Sequence, residues 1–217
     1  MFKTNFMFSK KIIFLALTIG IFVSCKEKKA ATVKSTEPGI VVRKDTATLK
    51  KEVQPSRPPI INIVDTVSGK YIVVFVKDTA ASSQRISEKL ANIYGTKLPG
   101  FISKNNLKII GPPIAWYKSN KSPFFFEAGF PVDKKPAKLA KGILVKNIGG
   151  DSAVIAHFYG PYSSTFMAYE ALTDWLKEKK KKTSGLPYEI YVTDPVGKDG
   201  KLLDPYRVQT DIVFPHK

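Results

Sequence analysis

The segment from Gly149 to Asp194 constrains the fold most, because it reads as a complete strand–helix–strand unit and has a copy upstream. Val154, Ala156 and Phe158 alternate with other residues, the pattern of a strand with one buried face. Gly160-Pro161 ends that strand, and the fixed φ of Pro161 suits the turn into a helix. Ser163 or Ser164 is the expected N-cap, since a hydroxyl there can accept a free N–H of the first turn. Ala168, Leu172, Trp175 and Leu176 then fall at i, i+4, i+7 and i+8, one face of a helix. Gly185 and Pro187 close the helical part, and Leu186, Tyr188, Ile190 and Val192 alternate as a second strand. Glu189 and Tyr191 share the other face of that strand.

Ile72, Val74 and Val76 precede Val154, Ala156 and Phe158 by one constant offset. Ile86, Leu90, Ile93 and Tyr94 precede Ala168, Leu172, Trp175 and Leu176 by the same offset. Glu127-Ala128-Gly129-Phe130-Pro131 parallels Asp211-Ile212-Val213-Phe214-Pro215 at a slightly different one. Strand, helix and last strand recur in the same order, so two βαββ units stand in tandem. The expected fold class is α+β: a pseudo-twofold repeat, one antiparallel sheet and both helices on one face. Ile72 should match Val154, and Leu90 should match Leu172.

Between these elements the first unit reads as a strand over 70–77, a helix over 79–95 and a Gly- and Pro-containing loop over 96–106. A strand over 107–118 is interrupted at Gly111-Pro112-Pro113, where proline cannot donate to a ladder. A strand over 122–131 follows, then a polar linker over 132–138 and a short strand over 141–148 that introduces the second unit. A loop around Gly197–Gly200 leads to the last strand, 206–214.

The chain ahead of these units is of another kind. Residues 1–24 read as a signal peptide: Lys3, Lys10 and Lys11 precede an apolar run, Ile12 to Val23, too short to cross roughly 30 Å of hydrocarbon. The run ends in Val23-Ser24-Cys25, which resembles the lipobox of bacterial lipoproteins. That resemblance implies a lipid on Cys25 and anchoring to a membrane. Lys26 after the cysteine, rather than an acidic residue, implies the outer membrane of a bacterial cell envelope. Cys25 is the single cysteine, which excludes an internal disulfide and a cysteine metal cluster. Residues 25–59 form a linker rich in Lys, Thr, Pro and Ala, too poor in apolar residues to offset its ordering entropy. Its Ile40-Val41-Val42 run is a short β-like exception. Residues 60–217 have the length of one domain.

The formal net charge is +17. The lysines scatter through linker, turns and the run Lys177–Lys182, with no recognition helix and no RNA-binding aromatic signature. No nucleic acid partner is expected; a solvated lysine face beside anionic lipid fits the pattern.

Several strings carry a family resemblance when taken in order: G-P-P-I-A-W-Y, F-F-F-E-A-G-F-P-V, H-F-Y-G-P-Y, A-Y-E-A-L-T-D-W-L, P-Y-E-I-Y-V-T-D-P and T-D-I-V-F-P. From about Gly69 to His216 the chain resembles the GyrI-like family, whose fold also serves as the effector-binding domain of AraC-type and MerR-type regulators. The resemblance implies a concave groove where the two units meet, with a carboxylate among aromatic rings that meets cationic, lipophilic ligands. Glu189 falls on that carboxylate position, and Trp116, Tyr117, Phe126, Tyr159, Tyr162 and Tyr191 are the candidate walls. Such a wall offers charge pairing and cation–π contact together, although aromatic residues on strands are as readily core. Some family members hydrolyse reactive cyclopropane-bearing compounds with a Trp, a Glu and a Tyr, roles open here to Trp116, Glu189 and Tyr191 or Tyr159. A third reading is a protein-binding groove. The chain departs from the regulators in lacking a helix-turn-helix domain. No cofactor and no metal are expected, and no Ser-His-Asp order or phosphate loop is visible. His157 and His216 read as structural or surface residues.

Overall fold

The alternating apolar runs become strands, and every pairing among the described residues is antiparallel. The computed structural model describes residues 57–217 except residue 120. The signal segment, Cys25, Ile40-Val41-Val42 and the linker up to residue 56 lie outside it. The strands are β1 (Ile60–Val67), β2 (Tyr71–Ala80), β3 (Ile114–Tyr117), β4 (Phe124–Val132), β5 (Leu144–Ile148), β6 (Ser152–Tyr159), β7 (Tyr188–Ile190) and β8 (Gln209–Pro215). They form one sheet in the order β1-β6-β8-β7-β3-β4-β2-β5. Helices α1 (Ser83–Asn92) and α2 (Leu98–Lys104) follow β2, and α3 (Phe166–Glu178) follows β6. None of these helices is long and apolar enough to cross a membrane.

The order is symmetric about the β3–β7 pair, so a pseudo-dyad passes there and the α+β repeat stands. The outer strands are exchanged between units: β1 pairs with β6 of the second unit, and β5 pairs with β2 of the first. The 141–148 strand thus starts at Leu144 and belongs to the first unit's edge, not the second's. β1 was not anticipated.

The sheet must also roll. A flat sheet would put β1 and β2 about 29 Å apart at the usual strand spacing. Ser68, Gly69 and Lys70 alone join them, and that connection reaches at most ~14 Å. Asp151, Gly150 and Gly149 make the matching crossing from β5 to β6. The two crossings touch, with Ser68 N donating to Asp151 O at 3.0 Å and Gly150 N to Ser68 O at 2.8 Å.

Rolling gives the sheet two faces with separate cores. The outer face carries all the helices: Val74, Val76, Ala128 and Phe130 pack under α1 and α2, and Val154, Ala156, Phe158 and Ile212 pack under α3 with Ala168, Leu172 and Leu176. The inner face is filled by Val73, Phe75, Ile114, Trp116, Tyr188 and Val213, with no helix among the described residues laid over it. Each fully buried Val, Leu or Ile side chain contributes about 1.5–3 kcal/mol.

Hydrogen bonds fix the internal equivalences. Lys108 and Asp133 bond as Lys182 and Lys217 do, and Ile110 N bonds Pro131 O as Ser184 N bonds Pro215 O. Pro131 therefore matches Pro215, and Phe130 matches Phe214. Phe130 pairs with Val74 and Phe214 with Val154. Val74, not Ile72, is the counterpart of Val154: the expected match was displaced by two residues, which keeps the same face of the strand and so escapes a reading by alternation.

The helices differ from expectation at their ends. α1 starts at Ser83, with the Ser82 hydroxyl accepting from Arg85 N, because Thr79 and Ala80 still belong to β2. The stretch 96–106 is helical rather than a loop. A π turn, Ile93–Lys97, leads into α2, and Leu98, Phe101 and Ile102 on one side of it are buried. Pro99 is tolerated in the first turn of α2, where its missing N–H is not needed. Neither Ser163 nor Ser164 caps α3: Tyr162–Ser164 forms a 3-10 turn that runs straight into it.

Candidate functional site

β7 is only three residues long and carries Glu189 at its middle. After Ile190 the regular ladder is interrupted: Val192 N turns back on Ile190 O, while Tyr191 N still donates to Pro113 O and Thr193 N to Gln209 O. Leu186 and Val192, expected inside the strand, are exposed. Glu189 pairs with Ala115 on one side and Ile212 on the other, on the helix-bearing face at the dyad. It lies between the two helical layers rather than under either.

Glu189 is 2% exposed. Tyr162 donates to its Oε2 at 2.7 Å and Tyr169 to its Oε1 at 2.9 Å. The Tyr117 and Tyr191 hydroxyls lie 2.7 Å apart, and the Tyr162 hydroxyl is 3.3 Å from that of Tyr117. Tyr94 closes the back, its ring 6.2 Å from that of Tyr191 and its hydroxyl donating to Ile114 O. Five tyrosines therefore surround one carboxylate, and among the described residues no lysine or arginine makes an ion pair with it. Burial pushes Glu189 above the usual carboxylate range, and the hydrogen bonds from Tyr162, Tyr169 and Tyr191 take back part of that shift. Burial first, then the Glu189 charge, pushes Tyr117 up to about 12 and raises Tyr162 and Tyr169 further. These phenols stay protonated and serve as donors and ring walls, not bases.

The cage opens into a groove of ≈ 770 Å³. Ile86 of α1, Phe124 of β4 and Phe166 of α3 line it with Tyr117, Tyr162 and Tyr169, and Glu189 is its most buried polar residue. Tyr162 is 52% exposed as a residue although its hydroxyl is sunk onto Glu189, so its ring forms a wall with one wet side. A hollow of ≈ 520 Å³ beside α1 holds Asp78 and Lys89, already paired at 2.5 Å, and no buried polar group.

Of the residues expected at the groove, Glu189, Tyr191, Tyr117 and Tyr162 come together. Three do not. Trp116 projects from the opposite face of β3 into the inner core, 4% exposed, with the Lys146 Nζ 3.0 Å from its ring centroid. Phe126 is in the outer core under α1, behind Tyr117. Tyr159 also points away from the helices and donates to Gln209 at 2.8 Å. Strand parity decides all three: β3 presents Ala115 and Tyr117 outward, and β6 presents Val154, Ala156 and Phe158. Tyr169, Tyr94, Ile86, Phe124 and Phe166 were not assigned to the groove. Tyr94 and Tyr169 sit at the flank of a buried helical stripe, where a long polar-tipped ring reaches past the core edge; that was the available signal.

Three other polar groupings are structural. Glu127, on the inner side of β4, meets Lys118 at 2.6 Å, Lys146 at 2.8 Å and Lys77 at 3.8 Å. Burial alone would raise Glu127, but the bonds from Lys118 and Lys146 outweigh it and hold its carboxyl low. His157 Nδ1 meets Asp211 at 2.7 Å on the β6–β8 ladder. His216 is buried rather than on the surface: its Nε2 lies 2.8 Å from Asp65 and its ring packs on Trp175. Among the described residues no group of three His, Cys, Asp or Glu is placed to hold a metal ion.

No family model matches the chain, and no curated protein matches it either. Solved structures do. The C-terminal domain of EcmrR is similar with a TM-score of 0.59 at 18% sequence identity, over 73% of this chain and 98% of that one. EcmrR in a complex with DNA is similar with a TM-score of 0.58 at 19% identity, over 73% of this chain and 57% of that chain. This chain thus spans little more than half of that protein. Weaker likenesses, with TM-scores of 0.48 and 0.46, link it to a hydrolase from Listeria innocua and to SAV2435 bound to tetraphenylphosphonium. The fold is the α+β fold of the EcmrR C-terminal domain.

Proposed function

We propose that the groove binds small lipophilic cations, with Glu189 as counter-charge and the tyrosine rings as walls, in a domain tethered to the bacterial envelope through a lipid on Cys25. The observation that carries the ligand is the carboxylate itself. An ionised group at 2% exposure with only phenol partners is a standing cost to the fold. A bound cation offsets it by direct pairing and by cation–π contact with the rings. Tyr162 is the part of the cage that yields to an entering ligand, because it stands on a single 3-10 turn and one side already faces water.

Titration of benzyltrimethylammonium against its neutral isostere neopentylbenzene tests this across pH. The Glu189 carboxyl is raised, so its charge is present above that raised value and lost as pH falls through it. Affinity for the ammonium ion should fall across that window, above the ordinary carboxylate range, while affinity for the isostere stays level. Parallel pH profiles for the two would sink the reading. The hydrolytic alternative loses one of its three groups, since Trp116 lies on the other face of the sheet. The groove is open rather than closed and dry, which favours a small ligand over a protein partner.

The tether rests on Val23-Ser24-Cys25 alone. Cys25→Ser should move the protein from the membrane fraction of a cell extract to the soluble fraction. Identical fractionation of variant and parent would remove the lipid from this proposal and leave the groove untouched.

A further inference from the structure

We infer that Glu170 makes this groove a site for elongated dications, one positive centre at Glu189 on the floor and the second at Glu170 in the mouth. The inference rests on the cation reading of Glu189. The chain is strongly basic, with 35 Lys and Arg against 18 Asp and Glu. The groove inverts that balance. Its charged lining residues are Lys118, Glu170 and Glu189. Lys118 is committed to Glu127, its Nζ 2.6 Å from Oε1, so both remaining charges are negative.

Glu170 stands apart from the other carboxylates of α3. Asp174 pairs with Lys177 at 3.0 Å and Glu178 with Lys179 at 3.1 Å. Glu170 has no ion pair or hydrogen bond among the described residues. Its neighbours at one helical turn are Phe166 and Met167 before it and Thr173 and Asp174 after it, so no cation is within reach along the helix. Phe166, four residues earlier and on the same side of α3, is 56% exposed and lines the same groove. A carboxylate beside an aromatic ring thus occurs twice, once at the floor and once at the mouth. Tyr169, whose hydroxyl touches Glu189, is the chain neighbour of Glu170, so adjacent residues of one helix connect the two positions.

The test uses hexamethonium and decamethonium as dications and decyltrimethylammonium as the monocation, titrated into the parent, Glu170→Gln and Glu189→Gln. Glu170→Gln should weaken the better-fitting dication about two- to fivefold, the range for a solvent-exposed ion pair. It should leave decyltrimethylammonium and the melting temperature unchanged, and raising the salt should shrink the loss. Glu189→Gln should weaken all three. If Glu170→Gln weakens dication and monocation alike, or neither, while Glu189→Gln still weakens the monocation, Glu170 is a solvated helix residue and this inference falls alone. If the parent binds none of the three, the cation reading falls with it.

Discussion

Gly149→Ala should lower the free energy of unfolding by about 3–4 kcal/mol, adding left-handed strain to the loss of two backbone bonds. Gly149 has φ +78° and stands where the crossing from β5 to β6 passes that from β1 to β2. A Cβ there would lie 1.8 Å from the Gly69 carbonyl oxygen. That atom is backbone, so no side-chain rotation relieves the contact and the two crossings must separate. Separation breaks the Ser68 N–Asp151 O and Gly150 N–Ser68 O bonds. Gly142 is the control, with φ +77° and nothing within 4 Å of a built Cβ. Gly142→Ala should cost only the strain, about 1–2 kcal/mol. Equilibrium urea unfolding compares them, and equal losses would mean that the crossing is not a close contact in solution.

Glu189→Gln should weaken a quaternary ammonium ligand by about 1.5–3 kcal/mol, the scale of a charge-assisted hydrogen bond. A neutral ligand of the same shape should lose much less, because the rings remain. Stability should not suffer. The folded-state value of Glu189 is raised, so whatever it contributes favourably is present at low pH and lost as pH rises through that value. Above that value the ionised group is a burden that glutamine lacks. Glutamine keeps one oxygen for Tyr162 or Tyr169, and the other tyrosine can turn to accept from its amide. Calorimetric titration of both ligands and a melting curve decide the matter. A large fall in melting temperature, or equal losses for the two ligands, would make Glu189 a structural residue.

The repeat was legible because strand and helix periodicities survive in both copies, and Glu189 with Tyr191 could be placed on one face from alternation alone. What failed depended on pairing. Alternation cannot see a shift of two residues, so Ile72 was matched to Val154 in place of Val74. Nor can it tell which strand face meets helices and which turns into a roll, and Trp116 and Tyr159 were misplaced for that reason. Phe126 is on the correct face but behind Tyr117, a distinction of depth that no one-dimensional pattern carries. Helix α2 was hidden by Gly95, Pro99 and Gly100, residues that usually break helices and are tolerated here at a π turn and a first turn. β1 was overlooked because its partner, β6, lies far along the chain.

The exchange of β1 and β5 gives the two copies a shared fate. Each contributes the edge strand that finishes the other's half of the sheet, so a cut between residues 133 and 142 would leave two pieces that each lack a border and carry a spare one. β1 comes first among the described strands yet belongs to the second half, so a pull on the chain ahead of residue 57 would act first on the half of the molecule that lies farther along the sequence. Stripping β1 from β6 would unpair the edge of the half that supplies Glu189, Tyr162 and Tyr169. The border of the sheet and the half that carries the carboxylate are in this way joined through β1.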